Sequence, residues 1–213
     1  MFAQSLPNTK KRELLKIVRL LQIFDAPLLW DGKTEEEITG NTNLSEISFY
    51  ISDFLKELWV NTARIYGDED DLSENDFTGI IDKLLNEIRA LRITRQNNED
   101  ERLKVAAAVL HEIINDASRF DPSASWPFPT SSDCAAEKKS SETTKNSLLE
   151  EKYSRIVLFE AMRLSGILTE SKRNLLQVAS VAYGIDGESF NELLAQALAL
   201  HKEIKRSVNL VLE

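Results

Sequence analysis

Apolar residues recur at helical spacing along most of the chain. In residues 10–24 they fall at i, i+3, i+4, i+7 and i+10, which places them on one face of an amphipathic helix. Similar patterns cover residues 45–66, 74–93 and 98–120, and three more follow in the last third of the chain. Because only seven glycines and five prolines provide turn signals, the sequence predicts an all-α, multi-helix bundle.

The stretch between the first two long helices is predicted to be irregular. Pro27 ends the first helix, and residues 28–30 are expected to pack back on it as a loop. Thr34 begins a capping-box sequence, which predicts a short helix that Gly40 can end.

Helical periodicity stops between residues 121 and 147, where prolines and serines predict a linker or insertion. We therefore expect an N-terminal helical region over residues 1–97 and a C-terminal one over residues 98–213, which the linker interrupts. Within the linker, Trp126 and Phe128 stand beside prolines. Such aromatic side chains can dock into a partner's groove at little entropic cost, so both are candidate partner-binding residues. The alternative is that they pack on the chain's own helices.

Tight turns join the three helical patterns of the last third. Gly166 and Gly184 each follow an apolar run, where a left-handed residue can close a helix. Thr169 and Asp186 then offer side-chain oxygens to the free amides of the next helix. Three short helices bury little surface, so we expect the helix over residues 98–120 to complete their core. On this expectation, a fragment that begins near residue 96 should fold.

This arrangement resembles the second half of the tellurite-resistance TerB-like family, whose helices are joined by an Ala-Asp-Gly turn and a Leu-Gly-Leu turn. The resemblance implies a TerB-like helical arrangement in the C-terminal half and an adaptor role in bacterial stress response, phage defence or secretion. Ser165 stands where the family has its Asp, and Ser171 and Lys172 stand where it has acids. The resemblance therefore implies the scaffold without the metal site. The alternative is that any helical hairpin with tight turns gives this pattern.

Charge and cysteine content narrow the classes of partner. The net charge of −9 repels phosphate backbones, which argues against direct nucleic-acid binding. A basic start to the helix over residues 10–24 would suit an anionic membrane, but its broad apolar face favours a core helix. Cys134 is the single cysteine, and the N-terminus does not read as a signal peptide. We therefore expect a cytoplasmic protein.

Two segments bear partial likeness to metal sites. The acidic run over residues 68–71 lacks the calcium-loop glycine, because Asp76 occupies its position. His111 and Glu112 match half of a zinc-protease motif, but Asn115 replaces the second histidine. Phosphate-binding, dinucleotide and nucleophile-elbow motifs do not occur in the sequence. We therefore predict no cofactor, no metal and no enzymatic activity.

The composition and motifs together favour a non-enzymatic helical interaction or adaptor module that binds a protein partner. The alternative is an acidic inhibitor or antitoxin-like protein, or a nucleic-acid mimic, that presents carboxylates to a basic partner.

Overall fold

The computed structural model describes residues 2–66, 74–90, 99–117 and 138–212. Within these ranges the chain forms seven α-helices, two short 3-10 helices at Phe2–Ser5 and Glu35–Glu37, and one two-stranded sheet. The predicted all-α class is confirmed. In chain order the elements are α1 (Asn8–Phe24), β1 (Leu28–Trp30), β2 (Ile47–Phe49), α2 (Asp53–Tyr66), α3 (Glu74–Ala90), α4 (Glu99–Ala117), α5 (Lys138–Leu164), α6 (Glu170–Ala182) and α7 (Gly187–Leu212).

Helix α1 lies at the centre of the bundle and packs against α2, α3, α4, α5 and α6. Its apolar side chains, among them Leu14, Ile17 and Leu21, are fully buried. The face that would have lain on a membrane is therefore inside the protein. None of the described helices combines the length and the apolar character that a membrane crossing requires.

One hydrophobic core joins the two regions that the sequence predicted. Helix α4 packs against α6, as we expected of the helix over residues 98–120, and Leu110 and Leu176 are both buried. Helix α1, from the N-terminal region, packs against the same two helices and against α5. Residues of both predicted regions therefore share a single core.

The predicted loop at residues 28–30 is wrong, because these residues form β1. They pair with β2 in antiparallel register, with Leu28 opposite Phe49 and Trp30 opposite Ile47. The expected helix over residues 45–66 is correspondingly too long at its start. Ile47 and Phe49 point inward while the residue between them is exposed, which is the period of a strand. Helix α2 begins only at residue 53, and Phe54, in its first turn, is 74% exposed.

Helix α5 begins at Lys138, inside the segment predicted as a linker to residue 147. Its first ten residues contain no apolar side chain, so periodicity could not identify them as helical. Other predictions concern residues outside the described ranges, namely the linker residues Trp126, Phe128 and Cys134 and the acidic run at 68–71.

The predicted turns of the last third are confirmed. Gly166 and Gly184 have φ values of 77° and 69°, in the region that favours glycine. The Thr169 side chain accepts a hydrogen bond from the Lys172 amide at the start of α6. Asp186 likewise accepts from the amide of Ser189 at the start of α7. The capping box at Thr34 is also present.

Candidate functional site

An open groove lies between α5 and α7. It has a volume of about 370 Å³, and its lining surface is mainly apolar although four of its eight lining residues are charged or polar, the charged ones all on α5. Its lining residues, which define the α5–α7 groove, are Leu148, Glu151, Lys152, Arg155, Ile156, Phe159, Leu193 and Gln196.

Helical spacing explains why α5 supplies most of this groove. Leu148, Ile156 and Phe159 follow one another at i, i+8 and i+11, so they form a stripe about 16 Å long on one side of the helix. The opposite side of α5 carries Val157 and Leu158, which are buried in the core. The sequence alone does not reveal this site, because the apolar stripe does not show whether another helix covers it.

Charges along the α5 side of the groove are unevenly paired. The Arg155 guanidinium lies 3.0 Å from a Glu151 carboxylate oxygen, and both side chains are about half exposed. Lys152 is exposed and has no ion-pair partner among the residues that the structure describes. After the Arg155–Glu151 pair is formed, the α5 side therefore retains one positive charge.

A polar network with two buried charges lies where α1, α5 and the end of α6 meet. Lys10 and Glu13 on α1 are only 3% and 1% exposed. The Lys10 ammonium lies 3.0 Å from Glu13 and 2.8 Å from Glu150 of α5. The Tyr183 hydroxyl, just after α6, donates a hydrogen bond of 2.5 Å to Glu13. These four residues therefore connect three helices through charge-assisted contacts.

Burial and neighbouring charges shift the pKa values of this network. Burial raises the pKa of Glu13, and the lowering effects of the Lys10 charge and the Tyr183 hydrogen bond do not cancel it. Burial also opposes the charged form of Lys10, but Glu13 and Glu150 together raise the pKa of Lys10 above its ordinary value. Burial and the nearby Glu13 raise the pKa of the Tyr183 phenol. The folded protein therefore favours the charged form of Lys10, whereas it disfavours the charged form of Glu13.

Glu150 relates the network to the groove. It lies on α5 between Leu148 and Glu151, which line the groove, but successive helical residues are turned by about 100°, so its carboxylate reaches α1 instead. The part of α5 near Glu150 forms one end of the groove. The Lys10–Glu150 pair therefore attaches this end of the groove to α1.

The polar side of α1 is also partly buried, and both Arg19 and Gln22 are 8% exposed. Arg19 lies 3.0 Å from the centre of the Trp59 ring, and burial lowers its pKa to about 9. The Trp59 indole donates to Gln22 at 2.6 Å, and Gln22 donates to the Leu164 carbonyl at 3.2 Å. The neighbouring helices surround α1, so its polar side chains serve to join α2 and α5 to it.

A second cleft, of about 180 Å³, lies between α1, α3 and α4. It contains two lysines and two acids, and its Lys83 and Glu112 pair directly at 2.5 Å. Because charges of both signs neutralise each other there, this cleft is a weaker binding surface than the α5–α7 groove.

The residues that depart from the TerB-like pattern lie together at the α5–α6 turn. The Lys172 ammonium is 3.0 Å from Asp25 at the end of α1, and it donates to the Ser165 and Ile167 carbonyls at 3.5 and 3.4 Å. This arrangement ties the turn to α1.

The histidine of the partial zinc motif, His111, is exposed on α4, as is Asn115. Among the described residues, histidines, cysteines and acids do not gather in groups of three or more that could hold a metal ion. Trp126 and Phe128, the two partner-binding residues predicted from the sequence, lie outside the described ranges. The groove is therefore the main candidate site within the described part of the chain.

Comparison of the chain with protein-family models, curated proteins and solved structures finds no match in any of the three. The resemblance to the TerB-like family accordingly stays a prediction.

Proposed function

We propose that this protein is a non-enzymatic helical interaction module that holds an amphipathic helix of a partner protein in the α5–α7 groove. The observation that carries the proposal is the apolar stripe left open between two helices. Leu148, at one end of it, is 60% exposed, and the other apolar lining residues, Ile156, Phe159 and Leu193, are half-buried. Contiguous apolar side chains exposed in a groove are typical of binding surfaces, whereas isolated ones are ordinary.

The shape of the groove favours a helix as its occupant. The stripe on α5 extends over about 16 Å, which is long enough for the roughly 10.5 Å that anchors at i, i+3, i+4 and i+7 of a partner helix span. A helix laid between α5 and α7 would pack its side chains between theirs, as neighbouring helices in bundles do. The volume of about 370 Å³ would also admit a small molecule. However, the groove is open along its length, which would leave a compact ligand partly in water.

A displayed library of helical peptides tests the proposal. Each peptide carries apolar residues at i, i+3, i+4 and i+7, with other positions varied, and the full-length protein is the target. We expect selection to yield binders whose affinity falls about tenfold with Leu148→Gln, because one anchor contact is lost without a change in charge. Val60→Gln is the matched control, since Val60 is an equally accessible apolar residue on α2.

Two results would count against groove binding. The library could yield no binder to the wild-type protein, or Val60→Gln could weaken the selected peptides as much as Leu148→Gln does. If a small apolar compound binds the groove and no peptide does, the occupant is a small molecule and not a helix.

The biological setting is a further part of the proposal. The resemblance to the TerB-like family supports an adaptor in bacterial stress response or defence, in the cytoplasm. The net charge of −9 supports a second candidate, an acidic inhibitor or antitoxin-like protein that mimics nucleic acid toward a basic partner. If selection yields uniformly basic peptides whose affinity does not change with Leu148→Gln, the result would favour this second candidate.

A further inference from the structure

We infer that the partner helix carries an acidic residue on the flank that faces α5, where it pairs with Lys152. This inference rests on the proposed function, because it specifies the chemistry of the helix that the groove holds.

Lys152 is placed to act on such a helix. It lies one helical turn from Leu148 on one side and from Ile156 on the other, so its ammonium is flanked by the apolar stripe. The other cation on this side, Arg155, is already paired with Glu151. Of these two cations, Lys152 is therefore the one without an ion-pair partner among the described residues. A helix that filled the groove would cover this unpaired positive charge.

Covering Lys152 has an electrostatic consequence. An ammonium that loses water without gaining a counter-ion is costly, so an apolar or basic flank would be disfavoured at this position. An acidic side chain would restore the lost interaction and fix the direction in which the helix lies.

The α7 side of the groove does not offer the same interaction. Its polar lining residue is the neutral Gln196, and Glu192, one turn earlier on α7, is exposed and acidic. An acidic flank would be repelled on that side. The two sides of the groove therefore differ in charge, and the acid of the partner helix belongs beside α5.

Selection from the same helical library can test this inference if the two flanks are encoded equally as Glu, Gln or Lys. We expect Glu to be enriched on one flank only. Paired peptides that differ by Glu or Lys at that position should then differ in affinity by at least roughly two- to fivefold, the effect of an exposed ion pair, because the bound helix also covers Lys152. The overall charge of −9 acts in the opposite direction, because it favours basic peptides at every position. Enrichment of Glu on one flank would thus report a local contact.

Charge reversal provides the decisive comparison. Lys152→Glu should reverse the preference to Lys, whereas Lys202→Glu should leave it unchanged. Lys202 is exposed on α7 and is turned away from Leu193 by its spacing of nine residues, and its reversal changes the net charge equally. Binders without a flank preference, or a preference that survives Lys152→Glu, would overturn this inference and leave groove binding intact. A library without binders would overturn the proposed function itself, and this inference with it.

Discussion

Glu13 occupies an environment that carboxylates rarely tolerate. It is 1% exposed, it accepts one hydrogen bond from Tyr183, and its other oxygen faces the Lys10 ammonium at 3.0 Å. Removing two charges from water costs several kcal/mol per ion, which a close ion pair repays only in part. The raised pKa of Glu13 expresses this imbalance. Such a network is weak support for stability but ties α1, α5 and α6 together in one arrangement.

The first prediction concerns Glu13→Gln. A group with a raised pKa in the folded state adds stability below its unfolded-state pKa and loses that contribution as the pH rises through its folded-state pKa. Glutamine does not titrate, and its carbonyl can still accept from Tyr183. The stability of the variant relative to wild type should therefore increase as the pH rises above the ordinary glutamate pKa of about 4, as measured by urea denaturation at each pH.

Glu192→Gln, on the surface of α7, is the control that removes the same charge from an exposed site. If the relative stability of Glu13→Gln instead falls as the pH rises, the carboxylate is favoured in the folded protein and the account of this network is wrong.

The second prediction compares two glycines. Gly166 has a φ of 77°, so Gly166→Ala should destabilise the protein by about 1–2 kcal/mol, although a Cβ would meet no neighbouring atom. Gly79 lies within α3 and also has open space around it, so Gly79→Ala should stabilise the protein by about 0.5–1 kcal/mol. Urea denaturation of both variants checks the opposite signs. Equal effects would show that backbone conformation does not govern these sites.

At the scale of elements, the sequence was sufficient where local rules decide the structure. Helices α1, α3 and α4 follow from apolar periodicity, and the starts of α6 and α7 follow from Thr169 and Asp186. It was insufficient for β1 and β2, because three residues are too few to show alternation and each strand exists only through pairing with the other. The polar first turns of α5 likewise carry no apolar signal.

The third prediction tests the packing of α4. Leu110 is fully buried where α4 meets its neighbours, so Leu110→Ala should lower the free energy of unfolding by roughly 2–5 kcal/mol through lost burial and an unfilled cavity. His111→Ala, an exposed change on the same helix, should alter it by about 0.5 kcal/mol or less. Chemical denaturation measures both. Similar small effects would mean that α4 does not contribute to the common core.

At the scale of the whole molecule, the position of α1 changes what can fold separately. The sequence led us to expect that a fragment from about residue 96 would fold, because α4 covers α6. In the structure α1 also packs against α4, α5 and α6, and its Leu14, Leu20 and Ile23 are fully buried. No local pattern in the sequence indicates that one helix contacts so many others.

The fourth prediction therefore reverses that expectation. A fragment of residues 96–213 should lack a cooperative thermal transition, because removing α1 exposes the apolar faces of three helices to water. Circular dichroism at rising temperature, with the full chain as reference, provides the measurement. Cooperative melting at the temperature of the intact protein would show that the C-terminal region is an independent domain.

The candidate site illustrates the same limit of sequence reasoning. The apolar residues of α5 are visible in the sequence, but the groove exists only because α5 and α7 leave a space between them. The ion pair between Arg155 and Glu151 follows from i, i+4 spacing, whereas the exposure of Lys152 beside an open stripe depends on tertiary packing.

The central claim is that the α5–α7 groove binds a helix, and chemical-shift mapping tests it most directly. The ¹⁵N-labelled full-length protein is titrated with a peptide selected from the helical library, and backbone amide shifts are followed. We expect the changes to concentrate between Leu148 and Phe159 on α5 and between Leu193 and Gln196 on α7. Shifts concentrated on another surface, such as the exposed Tyr50 and Phe54, with the groove amides unmoved, would contradict the claim.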